Sequence, residues 1–320
     1  MSLKGLKVVF MGTPAFSIPT LKALIESGCN ILAVITQPDK PVGRGRKVSF
    51  NPIKELALEK DLKIYQPQKV KDEEFIEEMR EIEADIFVVV AFGQILPKAL
   101  IDIPPMGAIN IHGSLLPAYR GAAPINWAIA NGEQVTGVTT MVIDEGLDSG
   151  DMLLKREITI GDDDNAAILY DKLAKEGSEL LIETLEGLTS NSIKREKQND
   201  SLASYAPLLK KEDGLIDWSS DASSIINQVK GMLPWPTAHT SIKGKSLKIF
   251  RALKRDGQGE PGAVINVTKD LLEVASGVGS IEILELQLEG KKRMKSTDFM
   301  RGVQIKVGDK LGTAIKKVNK

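Results

Sequence analysis

The sequence predicts an α/β protein whose first half is built on a mainly parallel sheet and whose second half is a small β-barrel. Short β-branched apolar runs alternate with helical patterns through the first half. A polar, aperiodic stretch rich in Ser and Asn then occupies residues 189–208. Beyond it, short strand-like runs recur between Gly, Lys and Asp. With 320 residues and 42% hydrophobic content the chain is long enough for two ordinary domains. The expected division is residues 1–189, a linker at 190–208, and residues 209–320.

Residues 6–11, LKVVFM, read as a buried strand; Gly12-Thr13-Pro14 turns the chain, and helical spacing runs over 15–27 up to Gly28. The scheme repeats with a strand at 31–36, a helix after Asn51-Pro52, a short strand at 62–65, a charged helix at 72–80 and a strand at 85–91. Strands alternating with helices imply parallel pairing. A buried strand at 107–111, a helix at 123–130, strands at 137–143 and 152–160, and a long amphipathic helix at 165–188 complete this half. After the linker come a helix at 222–232 and strands at 237–242, 247–253, 262–267, 271–275 and 280–288.

The formal net charge of −1 hides a gradient, since residues 1–190 hold 19 Lys and Arg against 28 Asp and Glu while the remainder holds 23 against 15. A basic half suits a polyanionic partner, because Lys and Arg gain free energy by releasing counterions from phosphates. Solvated surface lysine gives the same count. The 27% charged fraction excludes collagen-like and wholly disordered chains. The apolar runs fall short of the ~20 residues that span a bilayer. Cys29 stands alone and cannot close an internal disulfide, and no apolar leader follows Met1, so a cytoplasmic setting is expected. A monomer is expected as well.

Asn110 and His112 close the strand at 107–111 and precede Gly113-Ser114. Residues two apart project from one face of a strand. Ligands of open α/β sheets bind at the carboxyl ends of strands. An amide and an imidazole there suit catalysis, although a lone His also fits a satisfied buried position. The acidic loop DEGLDSGD at 144–151 follows the next strand. An Asp in it could orient an imidazole and stabilise its cation; an acidic surface turn would look the same. The loop lacks the spacing of a calcium site, and no metal is expected. Residues 38–47, PDKPVGRGRK, set Arg44, Arg46 and Lys47 directly after a strand, where a basic loop would contact phosphate or stay solvated. Gly12-Thr13-Pro14 matches neither dinucleotide-binding nor P-loop patterns, and no Gly-x-Ser-x-Gly elbow supports a serine hydrolase.

INIHGSLLPAYRGAAP at 109–124 and DEGLDSGDML at 144–153 together resemble the formyltransferases that use 10-formyltetrahydrofolate. The resemblance continues through GTPAF, TQPDKPVGRGRK at 36–47, VVVAFGQILP at 88–97, IDWS at 216–219, LPWPTA at 233–238 and GKKRM at 290–294. It is sharpest toward the branch that acts on methionyl-tRNA. It implies a Rossmann-like catalytic domain and a C-terminal barrel of OB type that helps hold initiator tRNA.

By the same resemblance the catalytic residues are Asn110, His112 and Asp148. In that chemistry the methionyl amine attacks the formyl carbon, Asn110 and His112 stabilise the oxyanion, and Asp148 supports His112 and relays a proton. Folate, a co-substrate, is expected against Phe92, Gly93, Gln94, Ile95 and Leu96, against Ser114, Leu115, Leu116 and Pro117, and near Asp144. Arg44, Arg46 and Lys47 match the insertion that meets the tRNA acceptor stem. The product would be formylmethionyl-tRNA for translation initiation. Rival readings are a formyltransferase acting on a small amine such as an amino sugar, a formyltetrahydrofolate hydrolase, and a noncatalytic RNA-binding protein on the same scaffold. The intact trio argues against the last, and the basic half with PVGRGRK argues against a small amine.

Overall fold

Val8, Val9, Phe10 and Met11 are completely buried, and the strand that carries them, β1 (Lys7–Gly12), lies inside a seven-stranded sheet. The computed structural model describes residues 3–42 and 47–312. After β1 come α1 (Ile18–Glu26), β2 (Asn30–Ile35), β3 (Lys40–Val42), β4 (Lys47–Ser49), α2 (Pro52–Glu59), β5 (Ile64–Tyr65), α3 (Glu73–Glu81) and β6 (Ile86–Val90). Then follow α4 (Lys98–Ile101), β7 (Ala108–His112), α5 (Pro124–Ala130), β8 (Val135–Val142), β9 (Met152–Thr159) and α6 (Ala166–Thr189).

The sheet runs β5-β2-β1-β6-β7-β8-β9. Its first five strands pair in parallel, as their alternation with helices requires. β8 is antiparallel to β7 and β9 to β8. The acidic loop joins β8 to β9 without a crossover helix, a connection open only to antiparallel neighbours. Helix α6 reaches β7 through Gly177, where a Cβ would stand 2.8 Å from the Ile111 side chain. Its carboxylates Glu176, Glu179 and Glu183 surround Arg156 of β9.

Where a basic loop was expected at 38–47, β3 and β4 pair antiparallel instead. The segment lacks the alternation of apolar residues that reveals a strand. Arg44 and Arg46 lie outside the described residues, and Lys47 is the first residue of β4. The base of this ribbon is fastened by side chains. Asn51 caps α2 by accepting from Lys54 N at 3.0 Å, accepts from Thr36 Oγ1 at 2.9 Å and donates to Gln37 O at 3.1 Å. Hydrogen bonds from Lys54 and Gln66 hold the Asp39 carboxyl below the ordinary carboxylate range.

The chain divides into two compact units, one of Met1–Gly121, Val135–Thr159 and Tyr170–Ala206, the other of Ala122–Gln134, Ile160–Leu169 and Pro207–Lys320. The polar stretch after α6 is stitched into the first unit. Glu196 bridges Met152, Tyr205 bridges Arg120, and Gln198 is buried.

In the second unit α7 (Ala222–Gly231) meets α5 through Gly231, where a Cβ would come within 2.8 Å of Asn126 O. The remaining elements are β10 (His239–Ile242), β11 (Lys245–Arg255), β12 (Val264–Val267), β13 (Leu272–Ala275), β14 (Ser280–Leu288), β15 (Met294–Lys295) and α8 (Ser296–Gly302). The sheet order is β10-β11-β14-β13-β12, with β15 on β14, and every pair is antiparallel. Leu311 bridges Ile242 at one edge while Lys310 bridges Ala263 beside the other, so residues 310–311 draw the curled sheet into a small barrel. Its core includes Trp218, Ile249, Val274, Ile281 and Ile283. No helix among the described residues is long and apolar enough to cross a membrane.

Candidate active site

Strand β7 ends in Asn-Ile-His, so Ile111 points into the α6 packing while Asn110 and His112 share the opposite face. His112 is buried. Its Nε2 lies 2.8 Å from the Tyr119 carbonyl oxygen. A carbonyl only accepts, so Nε2 carries hydrogen and donates. Its Nδ1 lies 3.6 Å from Asp148 Oδ2, too long for a formed hydrogen bond. One ring nitrogen is therefore anchored and the other faces a carboxylate just beyond hydrogen-bonding distance. Asn110 is half-buried, and among the described residues its side-chain amide makes no hydrogen bond.

Asp148 comes from the opposite direction along the sheet. β8 leaves the sheet beside Ile109, and the acidic loop folds back to bring Asp148 to the imidazole. A Cβ on Gly150 would lie 1.9 Å from Val142 O, so the loop's return is close enough to demand glycine. Asp148 adopts a left-handed φ of 50°, and its Oδ2 accepts from Gly121 N at 2.9 Å.

The loop after β7 is tied to the strand opposite. Thr139, paired across from His112, donates to Ser114 O at 2.7 Å and accepts from Leu116 N at 3.1 Å. Ser114 Oγ donates to Ala118 O at 2.6 Å, which commits that hydroxyl to the loop. Leu116 is buried, and Leu115 and Pro117 are half-buried.

The segment after β6 is likewise fixed by hydrogen bonds. Phe92 O accepts from Thr13 Oγ1 at 3.0 Å, and Gln94 Oε1 accepts from Val70 N at 3.0 Å. Gly93 takes a φ of +88°. Phe92 and Leu96 are buried, whereas Ile95 is 91% exposed, an apolar side chain offered to solvent or ligand. Asp144 accepts from Gly146 N at 3.0 Å and from Ser149 Oγ. Beside it opens a depression of about 430 Å³ whose lining includes Lys98, Asp102 and Glu145. That depression contains none of Asn110, His112 and Asp148. No group of three or more His, Cys, Asp or Glu among the described residues is placed to hold a metal.

Sequence reasoning passed over Gly121 and Gln198, which contact Asp148, and Arg120, which holds Gln198. Arg120 and Gly121 lie within a quoted motif; Gln198 carried no local signal, because its partners are 48 to 78 residues away.

Family models for a formyl transferase and for a formyl transferase C-terminal domain match residues 6–185 and 208–304. The chain belongs to the formyl transferase family. Among curated family members, the methionyl-tRNA formyltransferase of Pelobacter propionicus is 55% identical over 96% of this chain and 96% of its own. That of Citrifermentans bemidjiense is 53% identical over 97% and 98%. Among solved structures, the N-formyltransferase of Helicobacter canadensis, in complex with folinic acid and dTDP-3-aminofucose, shares the fold with a TM-score of 0.67 at 20% identity, covering 87% of this chain and 98% of that one. HypX from Aquifex aeolicus, in complex with tetrahydrofolic acid, has a TM-score of 0.64 at 19% identity over 95% of this chain, which spans half of the HypX chain.

Proposed function

We propose that this formyl transferase moves the formyl group of 10-formyltetrahydrofolate onto the free amine of methionyl initiator tRNA, with Asn110, His112 and Asp148 as its catalytic residues. The observation that carries the reading is the buried His112, anchored at Nε2 with Nδ1 toward Asp148, beside the unbonded amide of Asn110. The full-length identity to curated methionyl-tRNA formyltransferases supports the choice of acceptor.

The amine nitrogen bonds to the formyl carbon, the carbonyl electron pair moves to oxygen, and the C–N10 bond to folate then breaks. Negative charge develops on the formyl oxygen. The Asn110 amide and, with both ring nitrogens protonated, the Nδ1–H of His112 are donors fixed before reaction, which is where such stabilisation is most effective. The proton lost by the amine passes to the departing N10, with Asp148 as the nearby acceptor. In this reading folate lies against residues 92–96 and 114–117, where Phe92, Leu96 and Leu116 are buried and Ile95 is exposed. Backbone groups of 93–96 would meet the pterin, those of 114–117 being largely taken by Thr139, Ala118 and Ser204.

In this reading residues 1–189 do the chemistry, residues 209–320 help hold tRNA, and Arg44, Arg46 and Lys47 meet the acceptor end. The enzyme works as a monomer in the cytoplasm, where translation initiates. The test offers 10-formyltetrahydrofolate with charged initiator tRNA and a nucleotide-linked amino sugar in competition. Formylmethionyl-tRNA as the main product is expected. Formylation of the sugar alone, or release of formate to water, would overturn it.

A further inference from the structure

Arg120 and Gln198 are both buried, and neither has a part in the chemistry described above. Arg120 Nε and Nη2 donate to Gln198 Oε1 at 3.0 and 2.8 Å, and Nη2 also donates to Asp200 Oδ1 at 2.8 Å. At the other end of the same amide, Gln198 Nε2 donates to the main-chain oxygens of Asp148 and Gly150, each at 2.8 Å. A guanidinium only donates and a carbonyl only accepts, so the amide between them has a single workable orientation. It cannot flip without opposing donor to donor and acceptor to acceptor.

The pair ends on a residue that needs holding. Asp148 is in left-handed backbone, sparsely populated for a residue with a side chain, and persists there only if its surroundings fix it. Its carboxylate is held by Gly121 N, and Gly121 follows Arg120 directly. Arg120 N donates to Ser204 O at 2.8 Å, and Arg120 O accepts from Ala206 N at 2.7 Å. Segments 120–121, 148–150 and 198–206 thus meet at one buried guanidinium–amide pair.

From this geometry we infer that Arg120 and Gln198 are positioning residues, a buried strut that fixes the main chain of Asp148 so that its carboxylate stays on His112. The inference rests on the proposed role of Asp148. Gln198→Glu isolates it, because the variant keeps the length and the pairing with Arg120 but turns an oxygen, instead of two N–H groups, toward two carbonyls. The expected result is a kcat for formyl transfer lower by roughly 10- to 100-fold, since small misplacements of a reacting group are that costly. KM for tRNA and folate should stay within about twofold, the mark of an interaction realised at the transition state.

A second readout needs no turnover. His112 and His239 are the only histidines, so their imidazole NMR signals separate readily. Gln198→Glu should shift the His112 imidazole resonances and leave those of His239 in place. A parent protein that fails to formylate methionyl-tRNA while this shift is seen would overturn the proposed function and keep the strut. A folded Gln198→Glu variant with parental kcat and an unmoved His112 would overturn the strut. If Gln198→Glu does not fold, Asp200→Ala carries the test from the exposed end of the strut. A several-fold lower kcat at unchanged KM supports the inference, and a parental kcat overturns it.

Discussion

Alanine at Gly121 would disturb the site without altering any reacting group. Gly121 has a φ of +119°, and a Cβ there would lie 2.7 Å from the main-chain oxygen of Ala206. That oxygen cannot swing away freely, because residues 204 and 206 are hydrogen-bonded to Arg120. Holding an L side chain in such backbone costs about 1–3 kcal/mol. Relieving the contact moves Gly121 N from Asp148 Oδ2, where a hydrogen bond to a charged acceptor contributes about 1.5–3 kcal/mol. The backbone will trade one loss against the other, so we expect about 2–4 kcal/mol of destabilisation in urea unfolding. A displaced Asp148 should also lower single-turnover formyl transfer by roughly 10- to 100-fold. Gly290→Ala is the control: its φ is +75°, but no heavy atom lies within 4 Å of the new Cβ. It should lose about 1 kcal/mol and keep parental kcat. A Gly121→Ala protein with the parental urea midpoint and rate would refute the account of how Asp148 is held.

Asn51→Ala removes a helix cap and the bonds to Thr36 and Gln37. It should cost about 1–2 kcal/mol in equilibrium unfolding, and a neutral result would mean that water replaces those contacts. Burial pushes the Cys29 thiol up to about 11, so folding favours the protonated form. Its contribution to stability is complete below the ordinary thiol value of ~8.5 and declines as pH rises toward 11, and labelling by a thiol reagent should be slow at pH 8 until the protein unfolds. Fast labelling of native protein would contradict the burial. Replacing Arg44, Arg46 and Lys47 together with Ala should lower kcat/KM for charged tRNA, leave folate binding unchanged and flatten the salt dependence of tRNA binding by somewhat under about one unit of slope per lost contact. Parental formylation at low and moderate salt would leave these three side chains merely solvated.

Local pattern made some features legible and hid others for physical reasons. Asn110 and His112 could be placed on one face of a strand end because period-two projection depends only on neighbours. The parallel core was readable from β/α alternation, whereas the reversal at β8 and β9 depends on a loop that returns without a helix. The β3–β4 ribbon escaped because its strands, KPV and KVS, are only three residues each, and α4 and α8 are likewise too short to develop a period. Asp148 stood among other carboxylates in one loop, and spacing alone gave no reason to prefer it. What distinguishes it in the structure is its contacts with His112, Gly121 and Gln198. Gln198 lay in a stretch whose polarity read as linker, yet it is buried by contacts that no window along the chain contains.

In the proposed reaction His112, beside Asn110 and Asp148, stabilises the oxyanion formed when a methionyl-tRNA amine attacks 10-formyltetrahydrofolate. Single-turnover formyl transfer by the parent and by His112→Ala, with enzyme in excess over charged initiator tRNA, tests it most directly. Rapid transfer by the parent is expected, with a loss of roughly 100- to 1000-fold in the variant and tRNA affinity and thermal midpoint near parental values. A variant rate within about threefold of the parent would contradict it.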